Sequence, residues 1–97
     1  MMEFFFIVCS NTMGADVMLQ FKKLEIQNFT QIPLVNGSGF GGGKKFGNDI
    51  WPGDNTAFFV VTETEKYEGI RDWVKEYREQ GIREGMKLIN LALKEII

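Results

Sequence analysis

At 97 residues, 44% apolar and 25% charged, the chain has the length and composition of a single folded domain, 1–97, and is unlike a disordered segment. Eleven Lys and Arg against thirteen Asp and Glu give a formal charge of −2; a broad nucleic-acid surface would need clustered positive charge to release counterions. With no His and one Cys, Cys9, the composition excludes a disulfide framework, a zinc finger, Ser-His-Asp and Cys-His catalysis, and most transition-metal sites.

Residues 3–9 form a continuous apolar, aromatic-rich run, which predicts a strand that is central in a sheet or covered on both faces. The run is far short of the ~18 residues that span a bilayer. Its only early charge, Glu3, is acidic where a secretory leader carries Lys or Arg. The expectation is a buried strand of a cytoplasmic protein, with Cys9 a core thiol in a reducing compartment. Ser10, Asn11 and Thr12 are helix N-cap candidates, and Met13, Val17, Phe21 and Leu24 then recur at helical spacing. Lys22 and Lys23 fall in the last turn, where the helix dipole favours cations. From Leu24 to Ile32 the pattern changes to period two, which predicts a second strand that Pro33 ends.

Seven of the eleven glycines fall within 34–55, marking this stretch as a long loop. Structureless connections beyond ~12–15 residues are uncommon inside a domain and are usually functional or mobile. Residues 55–61 read as the third strand, and Thr62 with Glu65 has capping-box spacing at the start of a second helix. That helix places Tyr67, Ile70, Val74 and Tyr77 on one face, flanked by Trp73; Glu68, Asp72, Lys75, Glu76, Arg78 and Glu79 lie largely on the wet side, and Gly81 suits the C′ position. The stretch from Met86 fits both helix and strand. A strand over 86–94 would add a fourth strand to an otherwise three-stranded sheet and complete an α+β, ferredoxin-like βαββαβ sandwich.

The chemistry concentrates in Gly37-Ser38-Gly39-Phe40-Gly41-Gly42-Gly43-Lys44-Lys45. Glycines let backbone N–H groups close around an anion, and Lys44 and Lys45 add charge. The segment is not a Walker A loop, because Lys44 is followed by Lys45 and Ser38 stands where the first glycine belongs. The bland alternative is a flexible loop without a ligand. Trp51, in the turn Trp51-Pro52-Gly53-Asp54, either anchors the loop to the body or meets a partner. The segment from Gly81 to Lys87 is a second Gly-flanked basic stretch. It is either a helix stop with solvated charges or a place where Arg83 and Lys87 reach a ligand shared with the first loop. The aromatic strands lack the interleaved charge of an RNA-stacking sheet, and no catalytic constellation is evident.

In element order, the series Phe29-Thr30-Gln31-Ile32-Pro33, Gly37-Ser38-Gly39, Asp49-Ile50-Trp51-Pro52-Gly53-Asp54-Asn55, Phe58-Phe59-Val60-Val61 and Glu84-Gly85-Met86-Lys87 resembles the P-II-like signalling proteins over most of the chain. The resemblance implies a ferredoxin-like protomer, assembly as a homotrimer, and ligand sites in intersubunit clefts. It also implies a long loop after the second strand that contacts a partner. The loop base Gly39-Phe40-Gly41 matches the nitrogen-regulatory pattern, whereas Gly42 and Gly43 replace its Arg and Gln. Gly85 and Lys87 resemble the second phosphate-contacting loop, and the loop 34–55 contains no Tyr for a modification switch.

The sequence-level expectation is therefore a non-enzymatic, cytoplasmic regulator without a resident cofactor or metal. It would bind a small anionic ligand, an adenine nucleotide being the candidate, through Gly37, Gly39, Gly41, Lys44, Lys45, Arg83, Gly85 and Lys87. Phe40 and Trp51 would meet a protein partner, with a membrane transporter among the candidate targets and nucleic acid excluded. The alternatives are a trimeric metal-tolerance protein of the CutA type and an interaction module with no ligand.

Overall fold

A computed structural model of the chain describes residues 1–36, 55–81 and 85–97. Within these, β1 spans Met2–Ser10, α1 Gly14–Lys23, β2 Phe29–Val35, β3 Asn55–Glu63, α2 Thr64–Glu79 and β4 Met86–Leu91. The strands form one antiparallel sheet in the order β2-β3-β1-β4. This is the expected α+β ferredoxin-like arrangement, with both helices on one face.

The register accounts for the core. Phe5, Ile7 and Cys9 of β1 stand opposite Val60, Phe58 and Thr56 of β3, and opposite Asn90, Leu88 and Met86 of β4. This helix-facing set meets Val17 and Phe21 of α1 and Ile70, Val74 and Tyr77 of α2, all buried. Phe21 and Phe58 pack edge to face at 5.5 Å and Phe29 closes the cluster, 5.2 Å from Phe21. Each such buried side chain contributes about 1.5–3 kcal/mol, which makes this layer the main source of stability. The helices also approach closely: a Cβ at Gly69 would stand 2.8 Å from Leu24 Cδ2.

Both helix faces and the central position of β1 match expectation, and Gly81 at φ +72° ends α2 in the left-handed region, as a C′ residue does. Several details differ. The second strand is Phe29–Val35, not Leu24–Ile32. Glu25 turns at φ 60° and Ile26 bonds back to Phe21 O at 2.8 Å, so Ile26 serves the core as part of the turn. Pro33 lies inside β2 because β2 is an edge strand, and the register shifts between Ile32 and Val35. There the buried Thr56 hydroxyl donates to Ile32 O at 3.0 Å, giving that carbonyl a partner where the ladder is irregular.

The other differences lie at element ends. Ser10 precedes a short 3-10 turn, Asn11–Met13, and α1 follows from Met13; neither residue makes a side-chain capping bond to the helix backbone. The Thr62–Glu65 capping box does not form, because Thr62 is buried in β3 opposite Glu3. Instead Thr64 N–H donates to Met1 O at 3.0 Å, and its hydroxyl lies 3.1 Å from Glu3 Oε2. Asn90 Nδ2 donates to the other oxygen of Glu3 at 3.3 Å. The last strand stops at Leu91, opposite Phe4, where β1 nears its own start.

Candidate functional site

Because neighbouring strands are antiparallel, β1 and β2 finish at the end of the sheet where β3 and β4 begin. Ser10 stands opposite Asn55, and Val35 also pairs with Asn55. Gly85 O accepts from Ser10 N–H at 3.2 Å. Segments 37–54 and 82–84, far apart in sequence, are therefore both joined to one end of the sheet. α1 also starts at this end, so its N-terminal N–H groups contribute partial positive charge there.

Of the candidate ligand residues, Gly85 and Lys87 are described. Gly85 is half-buried at the mouth of β4; Lys87 is exposed, opposite Val8 on the sheet face away from the helices. Gly37, Gly39, Gly41, Lys44, Lys45 and Arg83 lie outside the described residues, as do Phe40 and Trp51 and the whole Trp51–Asp54 turn. The sequence reading missed Arg78, which it assigned to the wet face of α2. Its guanidinium Nη1 donates to Met86 O at 2.6 Å and so ties the end of α2 to the start of β4. Helical spacing reports the face of a residue but not its reach, so no signal in the sequence identified this contact. Ser10 Oγ and Thr12 Oγ1, read only as capping candidates, lie 2.9 Å apart at the same end.

Burial, with a smaller contribution from Asp16, pushes the Cys9 thiol up to about 11, so near neutral pH it is not an ionised nucleophile. Among the described residues no group of three or more His, Cys, Asp or Glu is placed to hold a metal ion, and no helix is long and apolar enough to cross a membrane.

The face of the sheet opposite the helices is also apolar. It carries Phe4, Phe6 and Val8 of β1, Phe59 and Val61 of β3, and Ile89 and Leu91 of β4. Phe59, Ile89 and Leu91 remain 36–40% exposed, and Phe59 packs on Phe6 at 5.4 Å. A contiguous apolar sheet face of this kind marks an interaction surface.

No family model matches the sequence, and no curated protein matches it significantly. Solved structures do match in shape. A Thermus thermophilus protein assigned as PII-like and signalling superposes with a TM-score of 0.64 at 14% identity, covering 93% of this chain and 84% of its own. The nitrogen-regulatory PII-like protein CPII of Thiomonas intermedia K12, bound to ADP, AMP and bicarbonate, gives 0.67 at 7% identity over 99% of this chain and 96% of its own. Its apo form gives 0.66 at 6% identity over 93% and 88%. The chain thus has the ferredoxin-like fold of the PII-like signalling proteins.

Proposed function

We propose that this chain is a divergent PII-like regulator, non-enzymatic and cytoplasmic, that binds an adenine nucleotide or another small anion and signals to a protein partner. The observation that carries this reading is that Val35, Asn55 and Gly85, the residues flanking the glycine-rich segment and following 82–84, meet beside Ser10 at one end of the sheet, with Lys87 two residues on. The glycines and Lys44 and Lys45 of the glycine-rich segment, Arg83 and Lys87 would then supply one anion-binding set. The likeness to CPII, bound to ADP, AMP and bicarbonate, supports this ligand class. The apolar sheet face supports assembly as a homotrimer, whose clefts would bring these segments against a neighbour. Phe40 and Trp51 would present the first segment to the partner, a membrane transporter among the candidates. The ligand would act by binding one loop state more tightly than another.

Calorimetric titration with ATP, ADP, AMP and bicarbonate tests the reading. Binding by at least one nucleotide is expected, weakened roughly tenfold or more in Lys87→Ala, as loss of a charged hydrogen bond implies. Failure of all four to bind the folded protein rejects the ligand assignment.

A further inference from the structure

The opposite end of the sheet carries a groove outside the candidate site. β3 continues to Glu63, three residues past its terminal pair with β2, Phe29 opposite Val60. Beside this overhang is a groove of about 410 Å³, lined by Phe4, Phe59 and Val61 together with Gln27, Asn28 and Thr30. A smaller depression of about 140 Å³ adjoins it through Gln27, Asn28 and Val61 and adds Glu25, Glu63 and Lys66. Apolar side chains, amide groups and charges of both signs along an overhanging strand suit an extended peptide better than a small metabolite.

The chain itself contains a peptide of that chemistry. Residues Ala92-Leu93-Lys94-Glu95-Ile96-Ile97 follow β4 without regular structure; Ile96 is 62% exposed and Ile97 fully so. Glu63 and Lys66 lie 3.6 Å apart as an ion pair, with Lys66 Nζ also donating to Glu25 O at 2.8 Å; Lys94 complements the Glu25 carboxylate and, with Glu95, can extend that pair into a network. Segment and groove lie at the same end of the strands, since Leu91 pairs with Phe4 and Phe4 lines the groove. They belong to opposite edges of the sheet, β4 and β2. A contact between them from copy to copy is head-to-tail, the kind that closes into a ring. Six extended residues reach about 20 Å, enough to cross to an adjacent copy.

We propose that residues 92–97 of one copy dock into the groove beside β3 and the 26–28 connection of the next copy, with Ile96 and Ile97 over Phe4 and Phe59 and Lys94 toward Glu25 and Glu63. This rests on the assembly proposed above, and the test separates the two. Chains carrying Ile96→Cys and Asn28→Cys are co-expressed so that one assembly holds both, then oxidised with diamide, and the linked species are identified by mass spectrometry. Dilution light scattering compares the unaltered protein with the Ile96→Asp, Ile97→Asp double variant. Expected are disulfide-linked pairs with one chain of each kind, and an assembly weakened about tenfold or more in the double variant. A wild-type oligomer of unchanged affinity in the double variant, without mixed pairs, overturns the docking and leaves the assembly standing. A wild-type single protomer at all concentrations overturns both. A link within one chain carrying both Cys substitutions, without mixed pairs, overturns the docking by assigning the segment to its own groove.

Discussion

Phe58 and Phe59 are adjacent in β3 and point to opposite faces of the sheet, so they separate folding from assembly. Phe58 is fully buried beneath the helices, whereas Phe59 is 40% exposed on the other face. A Phe side chain offers about 200 Å², so roughly 80 Å² of Phe59 is left in water, equivalent to about 2 kcal/mol per copy if a neighbour covers it. Three copies closing a ring would gain about 6 kcal/mol from this residue alone. Phe59→Asp removes that gain and places an unpaired carboxylate in the contact, costing several kcal/mol more. The variant should therefore run as a single protomer at micromolar concentration in size-exclusion chromatography with light scattering. It should keep its far-UV spectrum, because the helix-side core is untouched, but melt earlier: the roughly 120 Å² of Phe59 already covered within the protomer, about 3 kcal/mol, and the 5.4 Å ring contact with Phe6 are lost as well. Phe58→Ala should instead lose about 3–5 kcal/mol and melt far earlier. A Phe59→Asp protein with the mass of wild-type oligomer, or a wild-type protein that is already a protomer at every concentration, refutes the assignment of this face to self-assembly.

Thr56→Val keeps the shape of a buried side chain but deletes the hydroxyl that donates to Ile32 O, and should cost about 1–2 kcal/mol in urea unfolding; an unchanged midpoint would mean that this carbonyl needs no such donor. Glu3→Ala removes the carboxylate that accepts from Thr64 and Asn90 near the start of α2, and should speed amide exchange in the first turn of α2 without altering that of α1. Gly81→Ala forces a Cβ into φ +72° and should cost about 1–2 kcal/mol, read from the melting temperature. The Cys9 thiol, raised to about 11 by burial and by Asp16, stays protonated in the folded state at pH values where the unfolded thiol ionises. Its contribution to stability is thus complete below the ordinary thiol range and is lost as pH rises toward about 11. Cys9→Ala should flatten that alkaline decline, and iodoacetamide should label wild-type Cys9 only after unfolding.

The fold was legible where periodicity and burial agree. Val17 and Phe21, then Ile70, Val74 and Tyr77, repeat at helical spacing, and the structure buries all five. The errors share one cause, since local pattern does not report an element's neighbours. Pro33 stops a central strand but is tolerated in β2 because β2 has a partner on one side only. Thr62 and Glu65 have the spacing of a capping box, yet pairing with β1 holds Thr62 in β3 and moves the helix start to Thr64. Arg78 has the position of a solvated charge, and its bond to Met86 O depends on β4 returning beside the end of α2.

In the run Phe4–Cys9, too, the neighbours decide what the pattern means. A half-covered antiparallel strand alternates apolar and polar residues, but this one is apolar at both parities. The odd positions, Phe5, Ile7 and Cys9, are used up by the helix-side core. The even positions, Phe4, Phe6 and Val8, are only partly covered within the protomer, and Phe59, Ile89 and Leu91 extend the same surface. The sequence therefore carries a second apolar layer that the protomer leaves partly exposed, the layer the proposed assembly would cover. The antiparallel topology adds what composition could not: it joins the glycine-rich segment and the segment before Gly85 to one end of the sheet, so a ligand held there would also be sensed by the face on which copies are proposed to meet. Lys87 stands beside that end and on that face, opposite Val8, and under the proposed function would be the residue that couples ligand binding to assembly. Nucleotide should then tighten the wild-type assembly in dilution light scattering and leave that of Lys87→Ala nearly unchanged; equal tightening in both would separate the two events.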